Sequence, residues 1–435
     1  MKSGNNLQGN EKSSLAAQFD VVKLGHIDSN QASFMLSFLL LTKVFLALPS
    51  FIIRKTGTGA WITMALSAML ASVGLWGWLR WSKCTGNLGV VPSLRLTLGR
   101  ILGDIAALFM ALYFVIVTSL SVRVFSGGAV IALLPEFPID ILISVIIAAA
   151  LYSAWLGLES VGRSAVFFFP IVTVSIIVVV VGSYRLFDIR HLHPLFGMGV
   201  PVLIRESLPH TGLFGAISVT AVLKSYLRQP HDLPRFAYRG LAIAAVFMIG
   251  SVVLISAVFP YPVSTRQIIP LGTVARAVYL GRFLQRIEAL FTFTWFFASA
   301  VHASVCYMVT LILLCQLMNA RTYRPLVPGV ACLTFGIAAL PESILYASEL
   351  LSRTYLTFGA VNVVMGLILY GIARVRNVTR EAEKVSDALL STKSEPGYSE
   401  GITGSSVIAG HSKGTPTEDI VGTPKGAENH NNPQE

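Results

Sequence analysis

Charge is what this 435-residue chain has least of. Asp, Glu, Lys and Arg supply 13% of its residues, roughly half the share usual in soluble domains, so an ordinary soluble fold is excluded. Cysteine is almost as scarce. Cys84, Cys306, Cys315 and Cys332 form no C-x-x-C pair and show no zinc spacing, which leaves them as small apolar side chains. The phosphate-cradling Walker A loop, H-E-x-x-H and G-x-S-x-G are all missing, and no nucleophile–base or metal constellation replaces them. His191 and His193 flank Leu192 beside Pro194 without a further ligand nearby. The chain is therefore read as a non-enzyme that needs no cofactor.

Apolar residues are abundant, at 54% of the chain with a mean hydropathy of +0.68. The formal charge of +11 is unevenly spread. Residues 377–435 carry 5 Lys/Arg against 9 Asp/Glu, net −4, so the preceding 376 residues carry +15. Most of those cations fall in short connections between apolar runs, which is how membrane proteins encode orientation. A nucleic-acid partner is not expected, whereas a lipid bilayer is.

A bilayer core of about 30 Å takes around 20 apolar helical residues. That template predicts an all-α protein of about ten spans, at 31–53, 59–79, 101–122, 139–156, 165–183, 204–226, 241–259, 290–317, 325–340 and 355–373. The first run is 23 residues long with no small-residue cleavage motif behind it, unlike a secretory leader. Residues 1–30 are expected in the cytoplasm, 31–376 in a transmembrane domain, and 377–435, rich in Ser, Thr, Gly, Pro and acid, as a disordered tail. With both termini cytoplasmic, Arg80, Lys83, Arg95, Arg100, Lys224, Arg228, Arg235 and Arg239 fall on the inner side. The connection at 260–288 departs from the rule, being external yet holding Arg266, Arg276, Arg282 and Arg286.

Ten spans divide into five plus five, and inverted-repeat transporters bind their substrates at helices broken near the midplane. The sixth span contains SLPHTGLFGAIS, in which Pro209 removes a donor and Gly212 and Gly215 favour unwinding. His210, Thr211 and Phe214 belong to the same stretch. It reads either as a broken helix whose freed groups meet a ligand or as a kinked helix packed through small residues. The first span holds Lys43, thirteenth of 23 residues, about 18 Å along the helix. An ammonium at that depth costs at least about 2.5–3.5 kcal/mol. It must face a cavity, find an acid, lose its proton or be satisfied by carbonyls. Asp104, Glu159, Glu206 and Glu288 are the nearest-to-span acids, none on its own helix. Tyr113 with Thr118 and Ser119 in the third span, and His302, Ser304, Tyr307 and Thr310 in the eighth, are the other intramembrane polar groups. Isolated hydroxyls usually bond their own backbone, and a lone His302 reads as packing.

Several stretches in order resemble the B subunit of bacterial spore germinant receptors, the endospore germination permease family. They are LTKVFLALPS, GTGAWIT, GLESVGR, HPLFGMGVPVLI and the long PYPVSTRQIIPLGTVARAVYLGRFLQRIEALFTFTW, together covering about residues 23–376. The resemblance implies a relative of the amino acid–polyamine–organocation transporters, a five-plus-five inverted repeat with discontinuous first and sixth helices. It implies partnership with A and C receptor subunits in the inner spore membrane and binding of a small nutrient, commonly an amino acid. It places Thr42, Lys43 and Val44 at the first break and Thr211 to Gly215 at the second; Tyr113, His210, Ser304 and Tyr307, from the polar groups of the spans, are further candidate site residues. Two departures stand out: Thr42-Lys43-Val44 replaces the glycines common at the first break, and Ala216-Ile217 stands where relatives often carry an acid. The rival reading on the same fold is an amino acid permease, and a third is a structural or ion-conducting subunit that binds no nutrient.

Overall fold

The first described helix begins where its sequence can cap it. Asp28 is the N-cap of α1 (Ser29–Leu41), and its backbone N–H donates to Gln31 Oε1 over 2.9 Å, which pairs groups that a helix start otherwise leaves bare. A computed structural model describes residues 25–133, 136–278, 287–320 and 322–384. The expectations for residues 1–24 and for the tail from 385 onward lie outside the described residues.

After α1 the chain tightens into a 3-10 turn, Thr42–Phe45, and Leu46 is fully extended at φ −96°, ψ 177°. The α-helix resumes as α2 (Leu48–Thr56), with Pro49 in its first turn, where a missing N–H costs nothing. There follow α3 (Ala60–Cys84), α4 (Val90–Leu98), α5 (Arg100–Leu133), α6 (Ile139–Leu156) and α7 (Leu158–Gly182). Gly157, at φ +101°, makes the whole junction between α6 and α7, a conformation open to glycine and strained for other residues. Next come α8 (Val200–His210), a 3-10 stretch at Thr211–Ser218, α9 (Val219–Leu223) and a further 3-10 turn at Lys224–Tyr226. The remainder is α10 (Leu233–Val258), α11 (Pro270–Ala277), α12 (Ile287–Leu317), α13 (Leu326–Ala339), α14 (Ile344–Thr354), a π-turn at Tyr355–Gly359 and α15 (Ala360–Val375). Among the described residues the only extended pairing is an isolated bridge between Ile27 and Leu227.

Among the described residues, seven helical segments are long and apolar enough to cross a bilayer. The protein is thus an all-α, multi-pass membrane protein. Three of the expected ten spans are not among the seven, for identifiable reasons. Those at 31–53 and 204–226 are interrupted by 3-10 backbone, so neither offers a long continuous α-helix. The one at 325–340 is α13, with 14 residues. Several boundaries also move: the spans placed at 59–79, 165–183, 241–259 and 355–373 begin at Leu48, Leu158, Pro230 and Ile344, and the one placed at 101–122 runs on to Ile131 and takes in Arg123.

The long α12 is the central column, packed against α1, α5, α6 and α7. Since lipid is as apolar as leucine, such contacts gain from close van der Waals fit rather than from escape from water. The crossing of α3 and α15 shows it. A Cβ on Gly77 would stand 2.7 Å from the Leu367 backbone nitrogen, and Trp78 Nε1 donates to Asn362 O over 2.9 Å.

Candidate functional site

Both expected interruptions exist, and one residue touches each of them. The Lys43 ammonium lies 4.6 Å from the centroid of the Tyr355 ring. On the other side the Tyr355 carbonyl abuts Gly212, so closely that a Cβ there would collide with it. A Cβ on Gly215 would likewise stand 2.5 Å from Gly359 Cα. The second break is therefore seated on the π-turn through paired glycines. Neither Gly212 nor Gly215 has a positive φ, so their role in the fold is close approach of two backbones rather than a special turn.

Lys43 is 1% exposed, and its Nζ donates to Leu39 O over 2.8 Å. That carbonyl belongs to the last turn of α1, where the helix dipole is negative. The Tyr355 π-face adds a second electron-rich contact. Among the described residues no carboxylate joins them. Asp104 binds Arg95 at 2.6 Å, Glu159 binds Arg163 at 3.3 Å, and Glu206 lies 3.4 Å from Arg205. The side chain of Glu288 lies outside the described residues. The first break thus holds a buried cation on dipoles alone, with ligand capacity to spare, since an ammonium has three donors.

Thr42, beside it, donates to Phe38 O over 2.9 Å and also meets His302 Nδ1 at 2.9 Å. A hydroxyl has one proton, so the arrangement that satisfies both contacts has the neutral imidazole donating from Nδ1. Nε2 is then free to accept from the Cys306 thiol, 3.7 Å away. His302 and Cys306 on α12 are therefore built into the first break, which local sequence reading missed. Tyr113 is 2% exposed and its hydroxyl has no partner. The Tyr355 hydroxyl reaches only Ser121 Oγ, at 3.5 Å.

The other candidates are placed differently. Thr211 and Ser304 donate to their own helices, at Ser207 O and Ala300 O. Tyr307 gives its hydroxyl to Val327 O on α13 over 2.7 Å and so stands apart from the breaks. His210 meets Glu206 O at 2.6 Å while its Nε2 is buried without a partner. Phe214 is fully buried, and Val44 lines an apolar crevice between α7 and α10.

Two further buried cations escaped the sequence reading. Arg123 is 8% exposed and donates twice to Pro341 O, at 3.1 and 2.9 Å. Lys224, expected in a loop, is 4% exposed. It donates to Thr85 Oγ1 at 2.6 Å and Ser93 Oγ at 3.3 Å, over the Trp81 ring. Like Lys43, both rest on oxygen dipoles rather than carboxylates.

These features define a multi-pass helical membrane protein whose two discontinuous helices meet around a buried, unneutralised cation. The chain belongs to the spore permease family of spore germination proteins, whose pattern matches residues 26–347. It is 25% identical to spore germination protein A2 of Bacillus subtilis (strain 168) over 253 residues, 58% of this chain and 69% of that one. To spore germination protein B2 of the same strain it is 20% identical over 269 residues, 61% of this chain and 72% of that one. To spore germination protein YndE it is 23% identical over 271 residues, covering 62% and 75%.

Proposed function

We propose that this protein is the membrane subunit of a spore germinant receptor and that it binds a small nutrient, an amino acid for preference, between its two helix breaks. The observation that carries the reading is the Lys43 ammonium, buried between the breaks with no carboxylate among the described residues to neutralise it. The buried Tyr113 hydroxyl, without a hydrogen-bond partner among the described residues, is a second unsatisfied polar group. An anionic ligand group, such as an amino acid carboxylate, would complete both. In the absence of such a group the same ammonium does the work that a bound cation does in ion-coupled relatives of this fold, holding the unwound first helix.

Thr42, Lys43 and Val44 form the first wall of the site and Thr211, Gly212, Phe214 and Gly215 the second, with His210 behind them. Binding acts as a signal by favouring one arrangement of the two broken helices over another, and only differential affinity for the two can do that. A and C receptor subunits, in the inner membrane of the spore, read the change.

Deletion of the coding sequence, with the spores challenged by a panel of amino acids, sugars and nucleosides, tests the proposal. Loss of the response to one nutrient class is expected. An unchanged panel would contradict a receptor role. Uptake of labelled amino acid by proteoliposomes at turnover rates would assign the protein to transport instead.

A further inference from the structure

A second polar site lies where α1 and α10 begin. A pocket of about 440 Å³ opens there between the two helix starts, lined by Arg228, Arg235 and Arg239 together with Asp28, Asn30 and Asp232. The charges do not cancel. Arg228 Nε lies 3.3 Å from Asp28 Oδ1, while Arg239 spends its 2.6 Å hydrogen bond on Asn30, a neutral amide. Asp232 faces His231 at 3.7 Å instead of an arginine. Arg235 is exposed and makes no ion pair or side-chain hydrogen bond among the described residues. Three guanidiniums thus converge on a cavity that offers two carboxylates, only one of them engaged with an arginine.

Guanidinium is planar and always charged, and its donors form a fork that matches two phosphate oxygens at once. Basic pockets between membrane helices at the interface are suited to acidic headgroups. This one sits where the apolar span Pro230–Val258 begins. The backbone adjoining its lining residues Asp28 and Arg228 also joins the two broken helices: Ile27 N donates to Tyr226 O over 2.8 Å and Arg228 N to Ile27 O over 3.1 Å. That clamp ties the start of α1 to the far end of the second broken helix.

We propose that this pocket binds a phosphate group, presented by an anionic phospholipid or free in solution, and that the bound phosphate tightens the clamp between the two broken helices. The site is independent of the nutrient site, so either proposal can fail alone.

The test is thermal unfolding of the purified full-length chain in detergent, titrated separately with phosphatidylglycerol, phosphatidylcholine and inorganic phosphate. Phosphatidylglycerol raises Tm where phosphatidylcholine does not if the source is an anionic lipid. Inorganic phosphate raises it if the source is a free anion. Arg235→Gln and Arg239→Gln each shift the half-saturating concentration upward by about tenfold, the size of one lost charge-assisted hydrogen bond. Arg374→Gln, which removes an exposed arginine bonded only to Tyr370, leaves it unchanged. Should Arg239→Gln fail to fold, Arg235→Gln still decides, because its side chain has no partner to lose. No stabilisation by either phosphate source, an unshifted titration in Arg235→Gln, or an equal shift in Arg374→Gln would overturn the proposal.

Discussion

Lys43 Nζ sits 4.6 Å above the ring of Tyr355, and the carbonyl of that same tyrosine presses on Gly212. The two helix breaks are therefore not independent. A displacement of Tyr355 moves the contact surface of both, which is the property a ligand-driven switch requires.

Tyr113 separates ligand recognition from folding. Its buried hydroxyl has no partner, so Tyr113→Phe removes an unsatisfied group and leaves thermal stability equal or higher. The half-effective nutrient concentration rises about tenfold, the value of one hydrogen bond to a charged group. Tyr307→Phe behaves in the opposite sense. Its hydroxyl serves Val327 O, so that variant loses about 1 kcal/mol of stability and keeps its nutrient response. Thermal unfolding in detergent, together with dose–response curves on spores, checks both.

The glycine seam is tested by adding single methyl groups. Gly359→Ala drives a Cβ into the Gly212 carbonyl, and overpacking of this kind costs about 1–3 kcal/mol. Gly250→Ala is the control, since nothing lies within 4 Å of the added Cβ. The expected result is a lower Tm for the first and no change for the second. Equal behaviour of the two would show that the seam is not tightly packed.

Lys224→Met leaves no group stranded. Thr85 Oγ1 keeps Trp81 O, and Ser93 Oγ keeps Gly89 O at 2.7 Å. Replacing a buried ion by an apolar side chain of similar length is often neutral or stabilising, so Tm stays level or rises. Lys224→Glu puts an unpaired carboxylate against the same hydroxyls and lowers the amount of folded protein in the membrane. Quantitative immunoblotting of membrane fractions reads the difference.

The second break is legible in the chain because Pro209 removes a helix donor where it stands. The first is marked only by a costly lysine in an apolar run, and the family resemblance is what places a break at residues 42–44. The partner of the breaks was not legible. Tyr355 looked like the start of an ordinary last span, and only packing between segments far apart in sequence seats it on Gly212 and Lys43. His302 and Cys306 are illegible for the same reason, being in sequence a lone histidine and a small apolar residue. The burial of Lys224 is not legible either, because hydropathy windows register the end of the 204–226 run, not whether that end is buried. Counting spans by continuous apolar length also fails at the sites that matter, since a broken helix is no longer continuous.

The most direct test concerns Lys43 itself. Spores whose only receptor of this type carries Lys43→Met are scored for germination against the nutrient panel, with the membrane content of the protein measured in parallel. The predicted result is loss of the response that the wild-type receptor supports, with the protein still present in the membrane. Germination at the wild-type nutrient concentration would contradict a nutrient site built on that ammonium.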